Sequence, residues 1–346
     1  MKKLLLGTTA LVAAGAFIGA AQADEMMAEP VSVGVGGYTT GAVGFASDGD
    51  DGTRSHSIDY VYEIGVSGST TLDNGITVSV SGQLGRSSDR SSCEIDLDHM
   101  GEDPQKCTGG TDFDEIHTTL SGSFGALRIG RTESAAFNAT VAAPGAGIGG
   151  MLGVNYSWFS TSASAVNTYS GIGAEDALKV VYTSPNFNGL TIGMSYAPNN
   201  TDENFGDRST AGLGEHTAAG ATYSSDFMEG GSFTLGAGYE MASGDGDPSA
   251  ARAGINISVD QISFGGSMYD HDADGMQFDA GASWTQGATE VGVQYANKED
   301  GDSTKTALHL TYTLGPGVLI GGQIAAGSSD GDDDVTQFML GTAVFF

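Results

Sequence analysis

Ionisable side chains recur in this sequence at alternate positions of short segments whose intervening residues are apolar. Alternation with a period of two places the two sets on opposite faces of β-strands. The residues of the ionisable face include Glu63, Arg128, Lys179, Glu240, Arg252, Asp279, Glu290, Lys305 and His309. A dry core could not hold so many charges, because burying an unpaired charge is costly. The pattern therefore predicts strands with one apolar and one wet face, whose charges would act on ions and polar solutes through their electric field.

The same residues do not form a recognisable catalytic set. The six histidines are scattered, no group of Ser, His and acid stands out, and no His-Glu-x-x-His zinc pair is present. The sequence therefore predicts a protein that is not an enzyme and has no cofactor.

The charge of the chain is strongly acidic and unevenly distributed. With 13 Lys+Arg against 43 Asp+Glu, the formal net charge is −30, which excludes a basic surface that binds nucleic acid. Acids cluster in predicted connections, at 48–51, 245–247, 270–275, 299–302 and 330–334. The Ca²⁺-loop pattern that begins at Asp270 fails at its twelfth position, which is Gly281. We expect these clusters either to bind divalent cations weakly or to form a solvated acidic surface.

The strands that carry the ionisable face are joined by connections of two lengths. Seven short turns alternate with eight longer loops, which predicts sixteen strands in a meander with all long loops at one end. This asymmetry and the even strand number are typical of outer-membrane β-barrels. Aromatic residues near strand ends share the apolar face, as in the girdles of such barrels; they are Tyr182, Tyr196, Tyr239, Trp284, Tyr295 and Tyr312. A soluble β-sandwich also alternates, but it would have to bury the ionisable face.

The N-terminus predicts export from the cytoplasm. Two lysines, an apolar stretch and the small-residue site Ala21-Gln22-Ala23 are typical of a secretory signal peptide over 1–23, with a membrane anchor as the alternative. Cleavage would leave 24–346 as a single barrel domain. Because an exported protein meets an oxidising compartment, we expect a disulfide between Cys93 and Cys107. Two free thiols or a metal site are the alternatives at these cysteines.

Three stretches and the last strand resemble the Gram-negative general porins, which are trimeric diffusion channels. The stretches are 68–75, 123–131 and 181–190, and the last strand alternates apolar residues up to Phe346. The resemblance covers the whole chain after residue 23. It implies a closed 16-stranded antiparallel up-and-down transmembrane β-barrel whose third long loop folds into the lumen. It also implies a homotrimer in outer-membrane lipid and recognition of Phe346 by the barrel assembly machinery.

The resemblance further implies a constriction beside the third long loop. In such porins the preceding strand ends in Gly-Arg, which Gly130 and Arg131 match. Strand alternation instead places Arg131 on the apolar face, so either a bulge at Gly130 re-aims it or Arg128 takes its role. The side chains expected at the constriction are Glu63, Arg128, Arg131, Glu133 and Lys179. Those expected elsewhere on the lumen wall are Glu240, Arg252, Asp279, Glu290, Lys305 and His309.

This sequence departs from the family pattern at two places. Glu63 occupies a second-strand position at which many such porins carry a basic residue. The stretch 134–174, which would form the constriction loop, contains no charged residue, although acids are usual there. Its small residues would let the loop lie against the inner wall, with Phe137 as one aromatic anchor. The alternative is that this stretch stays outside the barrel.

These observations lead to an expected function in the outer membrane of a Gram-negative bacterium. We expect a water-filled channel for passive diffusion of small hydrophilic solutes and ions. Mild cation selectivity would follow from the acidic mouth and Glu63. The alternatives are a substrate-selective channel with a binding site in its lumen, and a surface β-protein for adhesion or structure that has no open pore.

Overall fold

The computed structural model describes sixteen strands and one short helix. The number of strands is the one predicted from the alternation of short turns and long loops. The described residues are 31–47, 55–86, 115–145, 172, 177–199, 214–244, 246–272, 275–299, 303–328 and 334–346. Residues 1–23, the predicted signal peptide, lie outside these ranges, and so do Cys93 and Cys107.

The first eight strands are β1 (Ser32–Ser47), β2 (His56–Thr71), β3 (Thr77–Arg86), β4 (Glu115–Gly122), β5 (Gly125–Arg131), β6 (Leu178–Thr183), β7 (Leu190–Ala197) and β8 (His216–Met228). The other eight are β9 (Gly231–Ala242), β10 (Ser249–Val259), β11 (Ile262–His271), β12 (Gly275–Gln286), β13 (Thr289–Lys298), β14 (Ser303–Gly315), β15 (Val318–Ser328) and β16 (Val335–Phe345). The helix α1 (Ala135–Asn138) lies between β5 and β6. No helix in the described part of the chain is long and apolar enough to cross a membrane.

The sixteen strands form one closed antiparallel barrel, which confirms the predicted fold class. Each strand pairs with its neighbours in the sequence, and β1 closes the barrel by pairing with β16 from Tyr38 and Phe345 to Ser47 and Thr336. Gly37 and Phe346 extend this seam, because the backbone N–H of each donates to the carbonyl of the other. Closure leaves no unpaired sheet edge, which a lipid environment requires.

The two faces of the wall differ in the way that the period of two predicts. Along β16 the inward residues are buried and the outward ones exposed, as the pair Met339 and Leu340 illustrates. The six aromatic residues predicted to lie on the apolar face are all exposed on the outside. The residues buried on the inside are mostly small or polar, and they include Gln277, Gln294, Gln323 and Gln337. The barrel therefore has an apolar exterior and a polar interior, the reverse of a soluble protein.

Candidate functional site

The chain enters the barrel directly after β5. Thr132 and Ser134 are buried, and Ser134 caps α1 because its hydroxyl oxygen accepts a hydrogen bond of 3.1 Å from the backbone N–H of Phe137. Such a cap satisfies one of the free N–H groups at a helix start. The described part of the third long loop, residues 134–145, is called the inserted segment below. Its location confirms that this part of the third long loop folds into the lumen.

The first anchor of the inserted segment is on β7, β8 and β9, against which α1 packs. The backbone N–H of Ala135 donates to the hydroxyl of Ser195 on β7 over 3.0 Å. The hydroxyl of Ser134 donates to Oε2 of Glu240 on β9 over 3.4 Å. The uncharged start of the loop is thus held by polar groups that the wall supplies.

Glu240 belongs to a buried charged cluster behind the inserted segment. Its Oε1 pairs with the guanidinium of Arg252, and its Oε2 lies 3.3 Å from Nε2 of His216. All three side chains are buried, with Glu240 only 2% exposed. Arg252 also donates to the hydroxyl of Thr140 over 3.1 Å, and its guanidinium lies 5.9 Å from the ring centre of Phe137. This cluster therefore connects β8, β9 and β10 to both ends of α1.

A second anchor holds the far end of the inserted segment. Oδ1 of Asp279 on β12 accepts hydrogen bonds from the backbone N–H groups of Ala143, over 3.2 Å, and Ser267, over 2.8 Å. The side-chain amide of Gln294 on β13 donates to the carbonyl of Ala143 over 3.2 Å. Both backbone groups of Ala143 are therefore bonded to the wall. The segment crosses the inner face from β7 to β13.

A basic group surrounds the point at which the chain leaves β5. Nη1 of Arg128 donates to the hydroxyl of Thr132 over 2.9 Å, and the ammonium of Lys179 donates to the carbonyl of Thr132. His117 lies on the neighbouring strand, opposite Gly130, and its Nε2 is 3.9 Å from a carboxylate oxygen of Glu115. Two of the cations expected at the constriction thus converge on one residue at the base of the inserted segment.

Arg131 is buried, although strand alternation predicts that it lies on the apolar outer face. It is 5% exposed, whereas Ile129, two residues earlier on the same predicted face, is 48% exposed on the outer surface. The pairing of β4 with β5 runs unshifted through these residues, so the bulge considered at Gly130 is not the cause. Gly130 itself has a φ of 147°, and a Cβ there would lie 2.5 Å from Cα of His117. The backbone thus departs from regular strand geometry directly before Arg131.

The other predicted wall residues lie on the opposite side or along the inner wall. Glu63 on β2 is partly buried, and its strand partners are Tyr38 on β1 and Gly85 on β3. Glu290 on β13 is partly buried opposite Thr311 on β14. Lys305 and His309 are buried on the inward face of β14, with Gln323 opposite His309 on β15. Glu133 is partly buried at the start of the inserted segment. The structure thus brings Glu240 and Arg252 together and places Glu63 and Lys305 on other strands.

The acidic connections are described only in part. Among the described residues, no group of three or more His, Cys, Asp and Glu has a geometry that could hold a metal ion. Asp272, in the turn after β11, accepts hydrogen bonds from the N–H and the hydroxyl of Ser249, both 2.8 Å long. These two donors lower the pKa of Asp272, because they stabilise the ionised carboxylate. Weak divalent-cation binding by the acidic loops stays a prediction.

Sequence reasoning did not identify several residues that hold the inserted segment. They are Thr132, Ser134, Thr140, Ser195, His216 and Gln294. Small polar residues at alternate positions are common on any wet strand face, so they carry no individual signal. Only the Ser134 cap has one, since a serine before a run of helix-forming residues is typical of a helix start.

Comparison with known proteins agrees with this geometry. A sequence model of the family described as Gram-negative porin matches residues 7–332. Two similar solved structures are engineered mutants of the porin from Rhodopseudomonas blastica, a triple mutant with a TM-score of 0.64 and a double mutant with 0.63. Each is 17% identical to this chain, and the match covers 91% of this chain and 100% of the porin. No curated protein matches this sequence. From the family match over nearly its whole length, the chain belongs to the Gram-negative porins.

Proposed function

We propose that this porin is a water-filled channel through which small hydrophilic solutes and ions diffuse down their gradients. The observation that carries the proposal is the polar inner wall of a closed barrel, crossed by an inserted segment that is hydrogen-bonded at both ends. Transfer of a polar solute into hydrocarbon costs several kcal/mol per unpaired group. A hydrated lumen removes this cost, and the inserted segment limits the cross-section. The channel needs no chemical reaction, so we propose no enzymatic activity.

Mild cation selectivity is the second part of the proposal. The net charge of −30 favours cations around the protein, and field focusing at the mouth raises their local concentration. Glu63 adds a negative charge to the inner wall, whereas Arg128 and Lys179 oppose it at the base of the inserted segment. Arg128 and Lys179 are held in place by Thr132. The balance between these positive charges and the negative charges of the mouth and Glu63 therefore sets the magnitude of the cation preference.

Recording from purified protein in a planar bilayer tests both parts. Discrete conductance steps that rise with salt concentration are expected, together with a reversal potential of the cation-selective sign in a salt gradient. Absence of steps would contradict the channel, and would instead favour a surface β-protein. A conductance that saturates with one solute would instead favour a substrate-selective channel. Anion preference would contradict only the second part.

Glu63→Gln sharpens the assignment of selectivity to the wall. Its expected effect is a shift of the reversal potential toward anions, because one negative charge is lost from the lumen. Glu229→Gln is the matched control, since Glu229 is exposed in the short turn between β8 and β9, outside the lumen. Equal shifts of the reversal potential in the two variants would show that Glu63 does not contribute to ion selectivity from the lumen wall.

The assembly and location follow the same proposal. We propose cleavage after Ala23, recognition of Phe346 by the barrel assembly machinery, and a homotrimer embedded in outer-membrane lipid. The exposed apolar exterior supports contact with lipid. We also propose that Cys93 and Cys107 form a disulfide in the oxidising compartment. N-terminal sequencing tests the cleavage, cross-linking tests the homotrimer, and mass measurement without reductant tests the disulfide.

A further inference from the structure

Glycines on the inward faces of β7–β12 lie directly behind the inserted segment. They are Gly193 on β7, Gly220 on β8, Gly236 and Gly238 on β9, Gly254 on β10 and Gly281 on β12. None of them has a positive φ, so the backbone conformation does not require glycine at these positions. The reason for glycine must be space.

The space in front of each glycine is filled by the inserted segment. A Cβ on Gly238 would lie 2.9 Å from both Cα and the carbonyl oxygen of Ala136, and a Cβ on Gly220 would lie 2.6 Å from Cβ of Ala139. A Cβ on Gly254 would overlap the carbonyl oxygen of Val141. Atoms essentially never approach a Cβ so closely, so a methyl group at these three positions would force the segment off the wall. At Gly193 the nearest contact of a Cβ would be 3.3 Å, which a shift of a few tenths of an ångström accommodates.

The glycines lie side by side across the wall because the strand register aligns them. Gly193 pairs with Gly220, and Gly220 pairs with Gly238. Gly236, the next inward residue on β9, pairs with Gly254 on β10. Gly254 pairs with Ser267 on β11, and Ser267 pairs with Asp279 on β12. We name these six glycines the glycine track; it runs from the first anchor at Ser195 to the second anchor at Asp279.

Inward glycines outside the track are not crowded by the inserted segment. A Cβ on Gly321 or Gly341 would overlap a backbone carbonyl oxygen of a neighbouring strand instead. Gly65 on β2 faces the same lumen from the opposite wall, and a Cβ there would meet its nearest neighbours at 3.8 Å and 4.0 Å, which is ordinary van der Waals contact. The glycine track is therefore more than a consequence of the glycine-rich composition.

We propose that the glycine track positions the constriction and thereby sets the size limit for solutes. Without side chains, the track lets the backbone of 135–144 lie in contact with the wall, and the lumen stays wider by the thickness of one side-chain layer. The residues act through the inserted segment and do not contact the solute. This proposal rests on the diffusion channel proposed above.

The location of the segment is tested by a cross-link that requires no channel activity. A Cβ on Gly193 would lie 3.3 Å from Cβ of Ala135, close to the spacing of disulfide-linked residues. In a Cys93→Ser, Cys107→Ser background, Ala135→Cys with Gly193→Cys is expected to oxidise nearly completely, as peptide mass mapping would show. Ala135→Cys with Gly65→Cys, on the opposite wall, should remain reduced. Failure of the first pair, or equal oxidation of both, would overturn the proposal.

The effect on solute size is tested with alanine substitutions in the track. Gly238→Ala and Gly254→Ala are expected to change the conductance, raise its open-channel noise and alter the largest sugar that enters liposomes, while Gly65→Ala changes none of these. The heat-dependent gel mobility of each folded barrel is the control for stability. Track variants that fold with unchanged conductance, noise and sugar limit would overturn the proposal.

The two experiments separate this proposal from the proposed function. If the cross-link forms but no variant conducts, the diffusion channel fails and the docking of the segment stands. If the unmodified protein conducts and the cross-link does not form, the track proposal fails and the channel stands.

Discussion

The inner wall has two parts that use the same strand pattern for different purposes. The loop-bearing wall, β7–β12, presents glycines, a buried ion pair and an aspartate to the inserted segment. The opposite wall, β14–β16 and β1–β4, presents long polar side chains such as Lys305, His309, Gln323 and Glu63. The first set fixes the inserted segment. In the second set Lys305 and His309 are buried and Glu63 is partly buried, on strands that lie away from that segment. A polar inward residue thus holds the segment only where its strand lies behind that segment.

The largest effect is expected at the buried cluster of the loop-bearing wall. Arg252→Met keeps much of the side-chain volume but leaves Glu240 buried without its main partner. Breaking such a pair costs about 3–5 kcal/mol, so the folded barrel should lose its gel mobility at a clearly lower temperature and its current should become noisy. The double variant with Glu240→Gln is expected to recover most of the stability. A single variant as stable as the parent would contradict the distinction between the two walls.

A smaller effect is expected at the second anchor. Asp279→Ala leaves the backbone N–H groups of Ala143 and Ser267 without their carboxylate acceptor, at a cost of about 1–3 kcal/mol for an unsatisfied buried group. Hydrogen exchange at the peptide that contains Ala143 should accelerate accordingly. Glu290→Gln, on neighbouring β13, is the control and should leave that exchange rate unchanged. Equal exchange in both variants would mean that Asp279 does not hold the segment.

A different kind of effect is expected on the opposite wall. Lys305→Gln removes a positive charge from β14 and should increase cation preference without altering the position of the inserted segment. A unit charge in water at contact distance is worth about 1 kcal/mol, or about fivefold in a permeability ratio. Because Lys305 is only 2% exposed and does not come into contact with ions, the permeability ratio should change by less than this. The reversal potential in a salt gradient measures this change. An unchanged reversal potential with altered hydrogen exchange at Ala143 would show that Lys305 acts structurally.

The smallest effect is expected at the rim, where Asp272 holds Ser249. Because the folded-state pKa of Asp272 is lowered, its contribution to stability is present above its ordinary pKa of 3.8 and is lost as the pH falls through the lower folded value. Limited proteolysis of this rim should therefore increase only at strongly acidic pH. Asp272→Asn should remove that pH dependence and leave the conductance unchanged. A conductance change would place the rim in the conduction path.

Sequence reasoning anticipated the barrel closely because its physical signal is repetitive. Strand alternation, the two lengths of connection and the aromatic residues near strand ends each occur many times, so single exceptions such as Arg131 do not obscure the pattern. The small residues of 134–174 also favoured a loop that lies against the wall, and the described part at 134–145 does so. The receiving surface was not predictable, since alternation shows which glycines point inward but not which of them a loop distant in sequence will cover.

The amino-acid sequence by itself determined the strands, their faces and the end at which the long loops lie. These features depend on local alternation and on connection lengths, which are properties of neighbouring residues. Only the tertiary structure decided which inward residues bind the inserted segment and which remain on the opposite wall. That distinction depends on register, which aligns Gly193, Gly220 and Gly238 across three strands, and on the path of a loop far away in sequence. Close packing between distant segments is a relation in space, so no local pattern encodes it.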